Sequence, residues 1–222
     1  HRKDGFKPLF DHDPEAVLTG LCRGFGDGFS FGIDPSEVCV DAIRLIHPDT
    51  QIIASLMRAI KNRFALKCRY VSLSSGESER VIVPHAIINN GHRWHVRAYD
   101  RKSGQFRDFV CSRFCNMEVQ IEPAEDIEKR EQDKQWNRIV DLSLVPHPGL
   151  KIPRAIEMDY QMKEGKLKLE VRAAIVGYLL QQWNVDCSKE TNLSCFQYQL
   201  ALANPATLYG VDNLLLAPGY ET

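Results

Sequence analysis

LKCRYVSLSSGESERVIVPHAIINNGHRWHVRAYD, residues 66–100, is the stretch on which the fold of this chain turns. Just before it, Ile52, Ile53, Leu56, Ile60 and Phe64 recur every three to four positions behind Pro48-Asp49, the spacing of a helix with one apolar face. Arg58, Lys61 and Arg63 fall on its other side. From Leu66 the period becomes two: Leu66, Cys68, Tyr70, Ser72 and Ser74 alternate with Lys67, Arg69, Val71 and Leu73. Further strand candidates lie at 79–84, 86–89, 92–99, 105–112 and 115–121. Ser75-Gly76, Asn90-Gly91 and Ser103-Gly104 separate them and suit hairpin turns. One helix followed by this many short strands predicts a small antiparallel β-barrel, SH3-like or Sm-like, over residues 49–122.

Upstream, residues 1–48 read as a connector. Asp13-Pro14-Glu15 starts a short helix with an acidic first turn, and Gly24, Gly26, Gly28 and Gly32 form a flexible loop. Downstream, residues 123–134 are charged and nearly free of apolar side chains, as a solvated linker would be. Residues 135–222 then run strand, helix, strand, helix: 136–145 alternates, 152–160 is helical, 166–171 alternates and 173–183 is a strongly apolar helix. Two such units predict an α/β sandwich, making the whole chain mixed α+β. The last residues, with Pro218 and Gly219, are expected to be loose. A helix apolar around most of its circumference is either deeply buried or shared with a second subunit, and a symmetric homodimer is the ordinary solution. Trp136, His147 and Tyr178 need only packing roles in this region.

At 222 residues with 44% hydrophobic and 26% charged content, the chain has the composition of a soluble globular protein. No apolar run reaches the roughly 20 residues that span a bilayer, and neither a signal peptide nor a membrane partner is expected. Seven scattered cysteines without a C-x-x-C pair fit reduced thiols in a cytoplasmic protein, with no metal and no cofactor. The chain opens on His, as an excised piece of a longer protein would.

Charge is unevenly placed. Residues 58–113 hold 12 Lys/Arg against 4 Asp/Glu, a balance of +8, whereas residues 1–57 stand at −4 and residues 114–222 at −5, summing to −1. Such segregation aims the middle segment at an anionic partner. Within it, His95, Arg97 and Tyr99 share one strand face, while Trp94, Val96 and Ala98 share the other, the core side. Arg107 and Arg113 share a parity with Phe109, so Arg97, Arg107 and Arg113 are expected to converge if their strands are neighbours. Guanidinium forks grip phosphate oxygens bidentately, and aromatic rings beside them stack bases. Tyr70, Ser72 and Ser74 add hydroxyls on a face where a plain core would be apolar, and His85 sits at a strand end after Pro84. The candidate ligand-binding set is therefore Tyr70, Ser72, Ser74, His85, His95, Arg97, Arg107 and Arg113.

The run Arg69-Tyr-Val-Ser-Leu-Ser-Ser-Gly, then Pro84-His-Ala-Ile, Arg93-Trp-His-Val-Arg-Ala-Tyr and Phe106-Arg-Asp-Phe-Val-Cys-Ser-Arg-Phe, resembles a WYL domain. The eponymous Trp-Tyr-Leu stands here as Trp94-His95-Val96. That variation resembles the regulators of bacterial anti-phage islands of the BrxR/CapW type. Val145-Pro-His-Pro-Gly-Leu150 and Ile156-Glu-Met-Asp-Tyr160 resemble their C-terminal WCX extension. The resemblance implies an Sm-like barrel that senses a single-stranded nucleic acid or nucleotide, and a dimer built partly through the C-terminal domain. It also implies operator DNA bound by a winged helix-turn-helix, which is absent from this chain. With His95 in place of the central Tyr, a titratable ring enters the pocket, and binding is expected to strengthen below about pH 6.5.

The favoured function is thus ligand sensing and dimerisation in a transcriptional regulator, a repressor of a phage-defence operon, and not an enzyme. The alternatives are a metal-independent nuclease or phosphodiesterase using His85 and His95 as acid and base, and a dimerisation module without a ligand.

Overall fold

The structure, a computed structural model, describes residues 45–221; the connector helix and glycine loop expected within 1–48 lie outside them. Helix α1 (Thr50–Asn62) begins where Asp49 caps it, its carboxylate accepting the N–H groups of Gln51 at 2.6 Å and Ile52 at 3.3 Å. It ends at Arg63, which takes the left-handed conformation at φ 55°. Five strands follow: β1 (Phe64–Ser72), β2 (Gly76–Asn89), β3 (Trp94–Asp100), β4 (Gln105–Val110) and β5 (Phe114–Pro123). They form one antiparallel sheet in the order β4-β3-β2-β1-β5, and α1 buries Ile52, Leu56 and Ala59 against β1, β2 and β5.

The period-two residues of β1 behave as the alternation requires, with Leu66, Cys68 and Tyr70 buried and Lys67 and Arg69 exposed. The sheet also curls. β1 and β4 stand three places apart, yet the Val110 N–H donates to the Tyr70 hydroxyl at 3.1 Å. It does not close into the expected barrel. A 3₁₀ turn (Cys111–Arg113) occupies the corner between β4 and β5, and no ladder joins the two strands. The expected strands 79–84 and 86–89 are one long strand, β2, with a bulge. Pro84 pairs with Ala98 and Ala86 with Arg97, which leaves His85 without a ladder partner.

Residues 124–137 are more than a charged linker. They form a strap of short 3₁₀ turns ending in the one-turn helix α2 (Lys134–Asn137), largely exposed, and two of its carboxylates, Glu128 and Asp133, are bonded to arginines of the first sheet. Glu128 is 2% exposed and accepts a fork from Arg101, Nε at 2.6 Å and Nη2 at 3.0 Å. Asp133 is 1% exposed and is described with the cleft below.

The C-terminal region is a second mixed layer. Strands β6 (Ile139–Pro146), β7 (Leu167–Arg172), β8 (Val185–Asp186) and β9 (Leu200–Leu202) order as β7-β6-β9-β8, with β8 and β9 parallel. Helices α3 (Pro153–Asp159) and α4 (Val176–Gln182) pack on them through Ile156, Val176 and Leu180, onto Val140, Leu142, Leu144, Leu200 and Leu202. The apolar helix foreseen at 173–183 is a 3₁₀ turn followed by α4. His147 does more than pack. Its Nε2 is 3.1 Å from Asp186 Oδ2, and its Nδ1 accepts the Gly149 N–H at 3.0 Å. The tail expected to be loose is instead fastened: Ala217 is buried, the Cys187 N–H donates to the Pro218 carbonyl at 2.9 Å, and Tyr220 packs on the core.

Three of the cysteines, Cys68, Cys111 and Cys187, are buried free thiols whose pKa burial pushes up to about 12, so thiolate chemistry at these positions is suppressed. No helix among the described residues is long and apolar enough to cross a membrane.

Gly177 in α4 donates its N–H to Asn213 Oδ1 at 3.0 Å, while Asn213 Nδ2 donates to the Ala174 carbonyl at 2.7 Å. A Cβ at position 177 would run into the Asn213 carbonyl. Ala is the better helix former by about 1 kcal/mol, but overpacking typically costs about 1–3 kcal/mol. Gly177→Ala is therefore expected to lower the urea midpoint of unfolding. An unchanged or raised midpoint would show that the 174–177 to 213 contact is not tight.

Candidate anion-binding cleft

At the free edge of β4 a cavity of about 960 Å³ opens between the first sheet and α4. The sheet contributes Tyr70, Ser72, Ser74, Arg80, Arg93, His95, Arg107, Asp108 and Arg113, and the C-terminal region contributes Tyr178, Gln181, Gln182 and Leu216. Six of the eight residues singled out from sequence line it: Tyr70, Ser72, Ser74, His95, Arg107 and Arg113. Four arginines face one aspartate there. Arg80 is spent in part on the buried Asp100 at 2.6 Å, although its Nε is buried without a partner. Arg93, Arg107 and Arg113 have no carboxylate within ion-pair distance among the described residues.

Two expected residues lie elsewhere. Arg97 does not converge with Arg107 and Arg113. The β3–β4 register pairs Arg97 with Asp108 and Ala98 with Arg107, so Arg107 points from the opposite face of the sheet. Arg97 is 5% exposed and each of its guanidinium nitrogens is bonded: Nε donates to Asp133 Oδ2 at 2.8 Å, Nη2 to Asp133 Oδ1 at 3.1 Å and Nη1 to Asp108 Oδ1 at 3.3 Å. His85 also leaves the cleft. The bulge aims it at the strap, where Nε2 donates to Asp133 Oδ2 at 3.0 Å and its ring packs between Phe106 and Trp136. His85 and His95 therefore share no cavity, and an acid–base pair built from them has no common place for a substrate.

His95 lies deep in the cleft, its ring 4.9 Å from that of Tyr178. Burial, then the charges of Arg93 and Arg113, lower its pKa to about 4. The imidazole is consequently neutral at pH 6.5, and the expected tightening of binding below that pH is corrected. Tyr178 is more than a packing residue. Its hydroxyl donates to Asp108 Oδ2 at 3.2 Å, and burial followed by the Asp108 charge raises its pKa, so it stays a donor. Sequence reasoning missed Tyr178, Gln181 and Gln182, although a Tyr with Gln three and four positions later on an apolar helix marks a polar face. It also missed Arg80, Arg93, Asp108 and Asp133, whose placement depends on strand register and on the strap.

The wall behind the cleft is thus a chain of buried polar groups. Tyr178 donates to Asp108, Arg97 bridges Asp108 and Asp133, and Asp133 also accepts from His85 and from the Trp136 N–H at 3.1 Å. Burial alone would raise the Asp133 pKa; the hydrogen bonds from His85 and Arg97 overcome it and hold the carboxyl well below the usual range. Stability from such a depressed carboxylate is complete above the unfolded value of about 4 and is lost as pH falls further. Breaking a buried pair by removing one partner costs about 3–5 kcal/mol. Asp133→Asn is expected to lose about that much at pH 7 in urea unfolding and to show a shallower decline than wild type below pH 4. Equal stability and equal acid slopes would mean that the buried pair is inert.

Comparison with known proteins follows this geometry. Residues 51–119 match the WYL domain, and residues 139–208 match the BrxR transcriptional regulator C-terminal dimerization domain. The chain is 36% identical over 167 residues to the DNA-binding transcriptional repressor CapW of Escherichia coli, covering 73% of this chain and 54% of that protein. To CapW of Stenotrophomonas maltophilia it is 38% identical over 177 residues, covering 76% and 57%. The chain therefore spans about half the length of the curated relatives it matches. Among solved structures, proteasome accessory factor B/C of Arthrobacter aurescens aligns with 90% of this chain and 34% of its own at a TM-score of 0.36 and 19% identity. With a WYL domain carrying the cleft and a BrxR-type dimerization domain behind it, the chain belongs to the BrxR/CapW type of WYL-domain regulators.

Proposed function

We propose that this chain is the ligand-sensing and dimerisation part of a transcriptional repressor of a phage-defence operon, and that the cleft beside β4 binds a single-stranded nucleic acid or nucleotide. One observation carries the ligand: Arg93, Arg107 and Arg113 line a single cavity without carboxylate partners among the described residues. Surface arginines of a purely structural module would find acids or point apart into water. Hydroxyls from Ser72 and Ser74, amides from Gln181 and Gln182 and the Tyr178 ring supply neutral partners for sugar and base. The relatives bear the name of DNA-binding repressors, and operator contact would belong to the winged helix that the resemblance implies. The match to a dimerization domain supports a homodimer, and a ligand touching both the WYL sheet and α4 would bear on that domain.

Labelled single-stranded oligonucleotides are expected to bind with salt-dependent affinity. Hydrogen bonds to charged groups contribute about 1.5–3 kcal/mol, so Arg107→Ala and Arg113→Ala should each weaken binding by at least roughly tenfold. Each lost phosphate contact on a single strand should flatten the slope of log K against log salt by about 0.7. Affinity and slope unchanged in the double variant would remove the cleft from consideration.

Because His95 is already neutral at pH 6.5, affinity is expected to stay level between pH 8 and pH 6. A rise of tenfold across that interval, abolished in His95→Gln, would show the ring to be a pH sensor after all.

A further inference from the structure

Asp108 is the one carboxylate among the described residues that line the cleft, and it stands among arginines. It is fixed from behind. Arg97, itself locked by Asp133, donates to Oδ1 at 3.3 Å, and the Tyr178 hydroxyl donates to Oδ2 at 3.2 Å. Its side chain is nine-tenths buried. An ionised carboxylate accepts at about four lone-pair positions, and these two rather long hydrogen bonds fill half of them. The acceptor capacity left over belongs to a group on the wall of the cavity. A site meant only for a polyanion would gain from an apolar or donor side chain at this position, because a fixed negative charge beside bound phosphate repels it.

We propose that Asp108 is the specificity-determining residue of this cleft: it admits phosphate ligands that carry a hydrogen-bond donor next to the phosphate, such as the exocyclic amine or sugar hydroxyl of a nucleotide, and turns away bare polyanions. The inference rests on the reading of the cleft as an anion site. The arginines supply attraction common to every phosphate, and Asp108 makes the difference between them. A donor that reaches Asp108 completes its hydrogen bonding. A ligand without one leaves a buried acceptor unmatched next to added negative charge. Arg97 is the positioning residue here, holding the carboxylate at the wall, while the Tyr178 hydroxyl occupies one of its acceptor positions. The pKa of Asp108 is raised, by burial first, and Arg97 and Tyr178 limit that rise by donating to the ionised form.

The test is calorimetric titration of the intact chain at low salt with three probes of similar charge: the 5′-phosphorylated deoxyadenosine dinucleotide, the same backbone without bases, and pyrophosphate. Wild type is expected to prefer the dinucleotide to pyrophosphate by roughly tenfold to a hundredfold, the range of one hydrogen bond to a charged group. An abasic dimer that matches the dinucleotide assigns the donor to the sugar; one that matches pyrophosphate assigns it to the base amine. Asp108→Asn should tighten pyrophosphate by about tenfold and shrink the preference. Tyr178→Phe, which keeps the charge and frees an acceptor position, should preserve or widen the preference, so the proposal stays testable if Asp108→Asn does not fold. Equal affinity of wild type for all three probes, or an undiminished preference in Asp108→Asn, overturns the role of Asp108 while leaving the cleft as an anion site. If none of the probes binds wild type, the reading of the cleft itself fails, and the inference with it.

Discussion

Asp133 accepts four hydrogen bonds in a place with almost no water: two from the Arg97 fork, one from His85 and one from the Trp136 backbone. A buried carboxylate is tolerable only when its lone pairs are filled and its charge is matched, and here both conditions hold. The rest of the molecule leans on that site. It fastens residues 124–137 across the first sheet, and it orients Arg97, hence Asp108, hence the Tyr178 contact that joins the sheet to α4. Hydrophobic burial stabilises each of the two cores without relating them. The relation comes from polar bonds, which are directional and therefore specify geometry where apolar contact would permit sliding.

The same charge logic separates the arginines into two kinds. Arg97 and Arg101 are forked onto carboxylates and act as structural bolts, and Arg80 is anchored at one nitrogen by Asp100. Arg93, Arg107 and Arg113 lie along the cleft with no such acid among the described residues. A local balance of +8 across residues 58–113 thus overstates the free positive field, since two of those charges, Arg97 and Arg101, are neutralised by acids from the strap. The excess that remains is concentrated where the sheet fails to close. An unclosed edge leaves side chains of both faces within reach of one ligand, which explains how Arg107 and His95, on opposite faces of the sheet, come to line one cavity.

Much of the fold was legible because periodicity reports local geometry. The change from a three-to-four-residue stripe at Ile52–Phe64 to alternation at Leu66 marks the end of α1 and the start of β1; the turn pairs at 90–91 and 103–104 fall between strands as expected, and Gly76 of the pair at 75–76 is the first residue of β2. Register was not legible. Parity puts Arg107 and Arg113 together, but nothing local says that Arg97 will face Asp108, and that single alignment takes Arg97 out of the cleft. Charge in residues 123–134 was misjudged for a related reason. An acidic, apolar-poor segment reads as solvated unless its partners are known, and the partners of Asp133 lie 36 and 48 residues away. Tyr178 was hidden by its neighbours, since an apolar helix invites a packing role for every ring it carries.

The location of the cleft bears on what it is suited to do. A pocket enclosed by one rigid domain can be filled without consequence elsewhere, because ligand and empty states differ only inside it. This cleft has one wall on the WYL sheet and the other on α4, and among the described residues the two walls touch at few points: the Tyr178–Asp108 hydrogen bond, the His95–Tyr178 rings, and the hairpin tip, where Gly91 at φ 81° lies against the flexible end of the Gln182 side chain. Contacts this sparse contribute little to holding the walls at one separation, so the strap sets it. A ligand that bonds to Arg107 on one side and to Gln181 or Gln182 on the other adds interactions comparable in number to those already present. Its binding energy then depends on the separation of the walls, and differential affinity of that kind is the physical requirement for shifting a conformational equilibrium. The cleft sits where a small binding energy has the greatest leverage over the relation between the WYL sheet and the dimerization domain.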